Sequence, residues 1–182
     1  MRLFTALDLP AEVAGNLEDL LRRLRPTARI RWSPPSNLHI TTKFIGEWPE
    51  ARLDELKSAL AAIPARAPIA MRIHNLGFFP NARAPRIFWC GIDAPGLAGL
   101  AEATDGATAA LGIARETRPF SPHLTLGRIK DRVNIEALNQ AIAGLASAEF
   151  GCFEARSFFL YLSQLRPSGS VYTKLAELPL SL

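Results

Sequence analysis

Two short stretches carry residue types that could do chemistry together: His39-Ile40-Thr41-Thr42 and His123-Leu124-Thr125-Leu126. Each reads His-x-Thr-x inside a short apolar run of strand character. A β-strand places residues i and i+2 on one face, so His39 projects beside Thr41 and His123 beside Thr125. Ile40 and Leu124 then point into the core. The chain has three histidines, and two of them fall in these tetrads. Histidine titrates near neutrality, so one of two opposed imidazoles can be neutral and accept a proton while the other is charged and donates one. The neighbouring threonine hydroxyls are uncharged donors suited to phosphate oxygens. Such a set fits a phosphoester displacement with nucleophile and leaving group in line. A single His-x-Thr in a strand is more often a surface accident. Two copies with matching flanks weigh the other way.

Other chemistries fit less well. Zinc takes three or four His, Cys or carboxylate ligands at tight spacing. His74 has no partner at such a spacing and neither tetrad holds a carboxylate, so neither a metal site nor a cofactor is expected. There is no Gly-x-Ser-x-Gly elbow for a serine triad. Cys90 and Cys152 sit in strand-like apolar contexts and form neither a disulfide framework nor a zinc pair. The expectation is buried, reduced thiols in a cytoplasmic protein. A formal charge of +4 is compatible with an anionic ligand such as a nucleotide or RNA. The N-terminus reads as a first strand, not a signal peptide, and no apolar run is long enough to span a membrane.

The elements that must position the tetrads follow from periodicity and breakers. Residues 2–8 read as a strand, and Asp8-Leu9-Pro10 opens a helix whose buried face is Val13, Leu17, Leu20, Leu21 and Leu24. Pro26 stops it. Residues 29–32 are a short strand, and 38–45 carry the first tetrad and stop at Gly46. A helix over about 49–62, a strand over 69–76, a loop from Gly77 to Arg86 and a strand from Ile87 to Ile92 come next. The second half repeats this grammar. It has a helix at about 96–111, weakened in its middle by Asp105-Gly106, and a strand at 123–129 with the second tetrad. A helix at about 134–146 is followed by strands at about 153–162 and 170–177, joined by a Pro-Ser-Gly turn at 167–169. The tetrads stand 84 residues apart (39 to 123), each after a proline and before a helix. This predicts an α+β chain of two lobes related by a pseudo-twofold axis, forming one compact unit over 1–182.

These residues closely resemble the 2H phosphoesterase superfamily, in particular its RNA 2′,3′-cyclic phosphodiesterases, also called 2′-5′ RNA ligases. The resemblance covers nearly the whole chain. It includes Arg2 to Pro10, Arg31-Trp32-Ser33-Pro34-Pro35-Ser36-Asn37-Leu38-His39-Ile40-Thr41, Phe44-Ile45-Gly46-Glu47 and Phe79-Pro80-Asn81. It continues through Arg118 to Leu126, Ser163-Gln164-Leu165 and Gly169-Ser170-Val171-Tyr172. It implies a bilobal fold of two antiparallel-sheet lobes with outer helices, and the tetrads on facing strands of a central cleft. The implied activity is metal-independent opening of an RNA terminal 2′,3′-cyclic phosphate to a 2′-phosphate, with 2′-5′ ligation as the related reaction. Carried over by position, His39 and His123 are the proton-transfer pair and Thr41 and Thr125 hold the phosphate. His123 is assigned to activate water and His39 to protonate the departing 3′-oxygen. The alternatives are a small-nucleotide cyclic phosphodiesterase and a non-catalytic nucleotide- or RNA-binding module of the same fold.

Phe44 and Arg128, each five residues past its histidine, are placed by the resemblance around the terminal nucleotide. Strict alternation puts both on the wrong face, so either a bulge re-aims them or the carry-over fails. By the same parity Lys43 faces the cleft. Thr42 departs from the leucine usual in relatives and, if buried, needs a partner for its hydroxyl. Phe78, Phe79, Arg83 and Arg86, with Arg25, Arg29 and Arg31, could guide single-stranded RNA by stacking and charge. The expected partner is an RNA with a 2′,3′-cyclic phosphate end, such as a tRNA fragment, bound by a monomer.

Overall fold

A computed structural model describes residues 1–130, 132–167 and 169–180. The first half of the chain runs β1 (Arg2–Leu7), α1 (Ala11–Leu24), β2 (Arg31–Trp32), β3 (Ile40–Glu47), α2 (Leu53–Ala61), β4 (Ile69–Phe79) and β5 (Ile87–Asp93). The second half adds α3 (Leu97–Ala109), β6 (His123–Arg128), α4 (Glu136–Ala143), β7 (Glu149–Ala155), β8 (Ser157–Arg166) and β9 (Gly169–Pro179). The strands form two sheets, ordered β3-β1-β8-β9 and β2-β6-β5-β4-β7. Every pairing is antiparallel. The α+β class is as the sequence reading expects.

The helices are exchanged between the sheets. α1 follows β1 of the four-stranded sheet yet packs on β7 and α4 of the other, while α3 follows β5 and packs on β3 and α2. Val13, Leu17, Leu20, Leu21 and Leu24 form the buried stripe of α1, with Glu12 in its first turn and Arg22 and Arg23 in its last, as the helix dipole favours. One apolar core joins Leu3, Leu7 and Ile40 of the first sheet to Phe88, Cys90 and Leu124 of the second. Burying each of these side chains contributes about 1.5–3 kcal/mol. They therefore lock β3 and β6, the tetrad strands, into one body.

Several boundaries differ from the sequence reading. The strand expected at 69–76 runs on to Phe79, so Gly77-Phe78-Phe79 is strand and not loop. Gly77 has a packing reason: a Cβ there would lie 2.3 Å from the Trp89 ring. The strand expected at about 153–162 is two strands, β7 and β8, which belong to different sheets. Periodicity cannot show that switch, because Phe150, Ala155, Phe158 and Leu160 are buried on both sides of it. The helix at 134–146 is shorter, Glu136–Ala143, and that at 49–62 opens as a 3-10 turn, Glu50–Arg52. β3 passes through Gly46 (φ 80°) to Glu47. α3 runs unbroken through Asp105-Gly106. Cys90 is buried, and burial pushes its thiol up to about 12, but Cys152 is exposed, contrary to expectation. The turn at 167–169 includes Ser168, which lies outside the described residues.

Candidate active site

His39 stands immediately before β3 and His123 opens β6. Each ring is tethered in the same way. His39 Nδ1 lies 2.7 Å from the carbonyl oxygen of Asn37, and His123 Nδ1 lies 2.8 Å from that of Ser121. A carbonyl can only accept, so both Nδ1 atoms carry the proton and donate. In the neutral rings this leaves each Nε2 as the acceptor, the nitrogen free for proton transfer. Asn37 is itself held by its side-chain amide, which donates to the Ser170 carbonyl (2.7 Å).

The residues after each threonine are set by a β-bulge, which answers the parity question. In the β1–β3 ladder Ala6 pairs with Thr41, Thr5 with Lys43 and Phe4 with Phe44, so Thr42 has no partner of its own. In the β5–β6 ladder Trp89 pairs with Thr125, Phe88 with Gly127 and Ile87 with Arg128, so Leu126 is the extra residue. One inserted residue shifts the alternation by one. Phe44 thereby joins Phe4 on the His39 face, where it is 63% exposed. Arg128 likewise joins Trp89 and Thr125 on the His123 face.

The first bulge corrects the reading of Lys43. Its side chain does not face the site but turns inward, donating to Asp105 Oδ1 of α3 (2.5 Å) and to the Ala114 carbonyl (2.7 Å). Burial alone would raise the Asp105 carboxyl. The Lys43 bond, the Glu116 N–H and the charges of Lys43 and Arg115 hold it below the usual carboxylate range. The Thr42 hydroxyl, also turned inward, is 2.7 Å from the Thr5 hydroxyl, so the departure from leucine is satisfied by one hydrogen bond.

Aromatic rings surround both imidazoles, and the sequence reading missed most of them. Phe4 lies 4.8 Å from the His39 ring and Tyr172 meets it edge-on at 5.1 Å; Phe4 also stacks on Tyr161. Tyr161 donates to Asp8, and burial followed by that carboxylate raises its pKa. Phe79 meets the His123 ring edge-on at 5.2 Å and lies 5.2 Å from Trp89. Phe78, by contrast, packs inward on Phe88, and so does not contribute to a stacking surface. Phe4, Phe79 and Tyr172 stand in the sequence among the residues of resemblance, whereas Trp89 carries no signal beyond strand character. The His39 pKa is lowered. Burial is the main cause and the Arg128 charge adds to it, while the Asn37 carbonyl and Asp8 oppose it. β3 packs directly on β6, which brings the two tetrad strands together.

Two strands of different sheets, β3 and β6, thus each carry a carbonyl-fixed imidazole followed two residues on by a threonine. A family model described as "LigT like Phosphoesterase" matches residues 7–89 and 92–172, and the chain belongs to that family. It is 33% identical over 177 residues to the RNA 2′,3′-cyclic phosphodiesterase of Methanocaldococcus jannaschii, covering 97% of this chain and 99% of that one. The enzyme of the same name from Thermus thermophilus is 34% identical, covering 99% and 90%. Among solved structures, TT0787 of Thermus thermophilus superposes with a TM-score of 0.80 at 32% identity, covering 99% of this chain and 98% of that one. E. coli LigT complexed with 3′-AMP gives 0.80 at 27%, covering 100% and 98%.

Proposed function

We propose that this protein opens the 2′,3′-cyclic phosphate at the end of an RNA to a 2′-phosphate by two-histidine acid–base catalysis. The observation that carries the reading is the matched tethering of His39 and His123. Each Nδ1 is committed to a backbone carbonyl, which leaves each Nε2 for proton transfer, and strand alternation puts the threonine two residues on along the same face. The relatives named RNA 2′,3′-cyclic phosphodiesterase support the substrate class.

In the proposed step, His123 Nε2 takes a proton from water as the water oxygen bonds to phosphorus. The bond from phosphorus to the 3′-oxygen breaks, and His39 Nε2 gives its proton to that oxygen. A 2′-phosphate and a free 3′-hydroxyl result, and the proton gained by His123 later restores His39 through solvent. The assignment follows exposure: the His123 tether lies at the surface and meets water, whereas that of His39 is partly buried. Thr41 and Thr125 donate to the non-bridging oxygens, and Phe44 and Arg128 flank the terminal nucleotide. The chemistry draws on side chains alone. With an RNA 5′-hydroxyl in place of water, the same displacement breaks the bond to the 3′-oxygen and joins ends through a 2′-5′ bond.

We extend the reading to ends such as those of tRNA fragments and to a single unit, residues 1–182, acting as a monomer in the cytoplasm. Among the described residues the exposed large apolar side chains are Phe44, Leu165 and Val171, too few for a sizeable partner surface. Two free cysteines, one exposed, suit a reducing compartment. The test is a cyclic-ended oligonucleotide incubated in chelator. Turnover should be lost in both His39→Ala and His123→Ala; binding without turnover by the intact protein would instead indicate a non-catalytic module.

A further inference from the structure

The five-stranded sheet ends by setting beside Arg128 a second arginine, Arg31, to which the proposed two-histidine reaction gives no role. β2 is only two residues long, and it pairs Arg31 with Arg128 and Trp32 with Gly127. Gly127 lies on the core face, opposite Phe88, and the Trp32 ring packs edge-on against Phe88 at 5.9 Å. Arg31 therefore stands on the other face, the one that carries Arg128, Thr125 and His123. Arg31 and Arg128 are thus directly opposed residues on adjacent strands, both exposed. Like charges directly opposite in an antiparallel pair are destabilising. Among the described residues no carboxylate forms an ion pair with either one.

The backbone nevertheless holds them there. The Ser33 N–H donates to the Leu126 carbonyl (2.9 Å) and the Ser33 hydroxyl to the Thr125 carbonyl (2.7 Å), tying β2 to the bulge that aims Arg128. The Trp32 indole N–H donates to the Ala28 carbonyl (3.1 Å). A rigid pair of unneutralised guanidiniums one bulge away from the phosphate-handling threonine is suited to an anion with oxygens to share between them.

We infer that Arg31 and Arg128 form a second phosphate subsite, which takes the internucleotide phosphodiester on the 5′ side of the terminal nucleotide. This rests on the reading of the site as an RNA cyclic phosphodiesterase. The terminal cyclic phosphate occupies the histidines and threonines, and the next anionic group along an RNA strand is that phosphodiester. A mononucleoside cyclic phosphate with a free 5′-hydroxyl lacks it. Arg31 is thus a specificity-determining residue that separates RNA ends from mononucleotides.

The test compares kcat/KM on a cyclic-ended dinucleotide with that on the corresponding mononucleoside 2′,3′-cyclic phosphate. Arg31→Gln should lower the dinucleotide-to-mononucleoside ratio about tenfold, the scale of one charge-assisted contact, and Arg31→Lys should restore part of it. The dependence of log KM on log salt for the dinucleotide should flatten by about 0.7. A neutral methylphosphonate in place of the phosphodiester should reproduce the loss in the unmutated protein and add little in Arg31→Gln. An unchanged ratio in Arg31→Gln, or an equal further loss on the methylphosphonate, overturns the subsite while leaving the cyclic phosphodiesterase reading intact. Absence of turnover on every cyclic phosphate by the unmutated protein would remove that reading and the subsite with it.

Discussion

The two tetrads share a backbone design and differ in what surrounds it. In both, the carbonyl two residues before the histidine holds Nδ1, and a bulge after the threonine turns the fifth residue onward to the same face. On the His39 side the bulge sends Lys43 inward to Asp105 and Phe44 outward, and Phe4 and Tyr172 enclose the imidazole. On the His123 side the matching positions are Gly127 and Arg128. Gly127 is confined by Ile30, whose Cδ1 would lie 2.7 Å from an added Cβ. At the fifth position one half thus offers an exposed aromatic ring and the other a cation, while both Nδ1 atoms are held alike. In the proposed reaction the shared parts transfer the protons, and the unlike parts distinguish one end of the substrate from the other.

The largest expected effects strike the shared parts. Replacing either His39 or His123 by alanine should lower kcat/KM on a cyclic-ended RNA by about 10²–10⁴-fold. The double variant should lose little more than the worse single one, because the two act in one step. Strongly additive losses would argue that the imidazoles work independently. Next come the anchors peculiar to the His39 half. Lys43→Met takes from the half-buried Asp105 its closest cation, leaving Arg115 at 3.9 Å and the Glu116 N–H, and should cost about 3 kcal/mol in chemical denaturation. Gly127→Ala, its counterpart, asks only for a shift of the flexible end of Ile30, and should cost about 1–3 kcal/mol. A larger loss at Gly127 than at Lys43 would erase the contrast between a partly buried ion pair and a tight glycine.

Smaller effects test the outward residues. Phe44→Ala should raise KM on RNA ends by about 1–3 kcal/mol of lost stacking, with kcat little changed. A fall in kcat alone would place Phe44 in the chemical step. The smallest effect is in pH dependence. The His39 pKa is held below 6.5 by burial, so the free enzyme keeps His39 charged only at lower pH. As general acid it should set an alkaline limb of kcat/KM below pH 6.5. In the folded state His39 binds its proton less readily than in the unfolded chain. Its contribution to stability is therefore present above pH 6.5 and is lost as pH falls through the lowered value. His39→Gln should remove that part of the pH dependence in denaturation curves.

Much of this was legible in the sequence because the cues were local. The alternation in His39-Ile40-Thr41 and His123-Leu124-Thr125, the stripe of α1 and the prolines before each tetrad depend on neighbours in the chain. The bulges do not. That Thr42 and Leu126 lack partners follows from register against β1 and β5, and Lys43 was consequently assigned to the wrong face. Asp105 looked like a weak point of its helix, although it falls among Leu97, Leu100, Ala101, Thr104 and Thr108, all buried. A carboxylate on such a face needs a cation, which was the available clue. Gly77 was taken for a turn because a glycine that makes room for a ring leaves the same mark in a sequence as one that lets the chain bend.

In the proposed reaction two alike imidazoles open one cyclic phosphate from opposite ends. The most direct measurement is to treat a 2′,3′-cyclic-ended oligonucleotide with the protein in excess chelator and identify the product by phosphorus NMR. The expected product is a 2′-phosphate with a free 3′-hydroxyl, formed by the unmodified protein and by neither single histidine variant. A 3′-phosphate product, or full turnover by His39→Ala or His123→Ala, would contradict it.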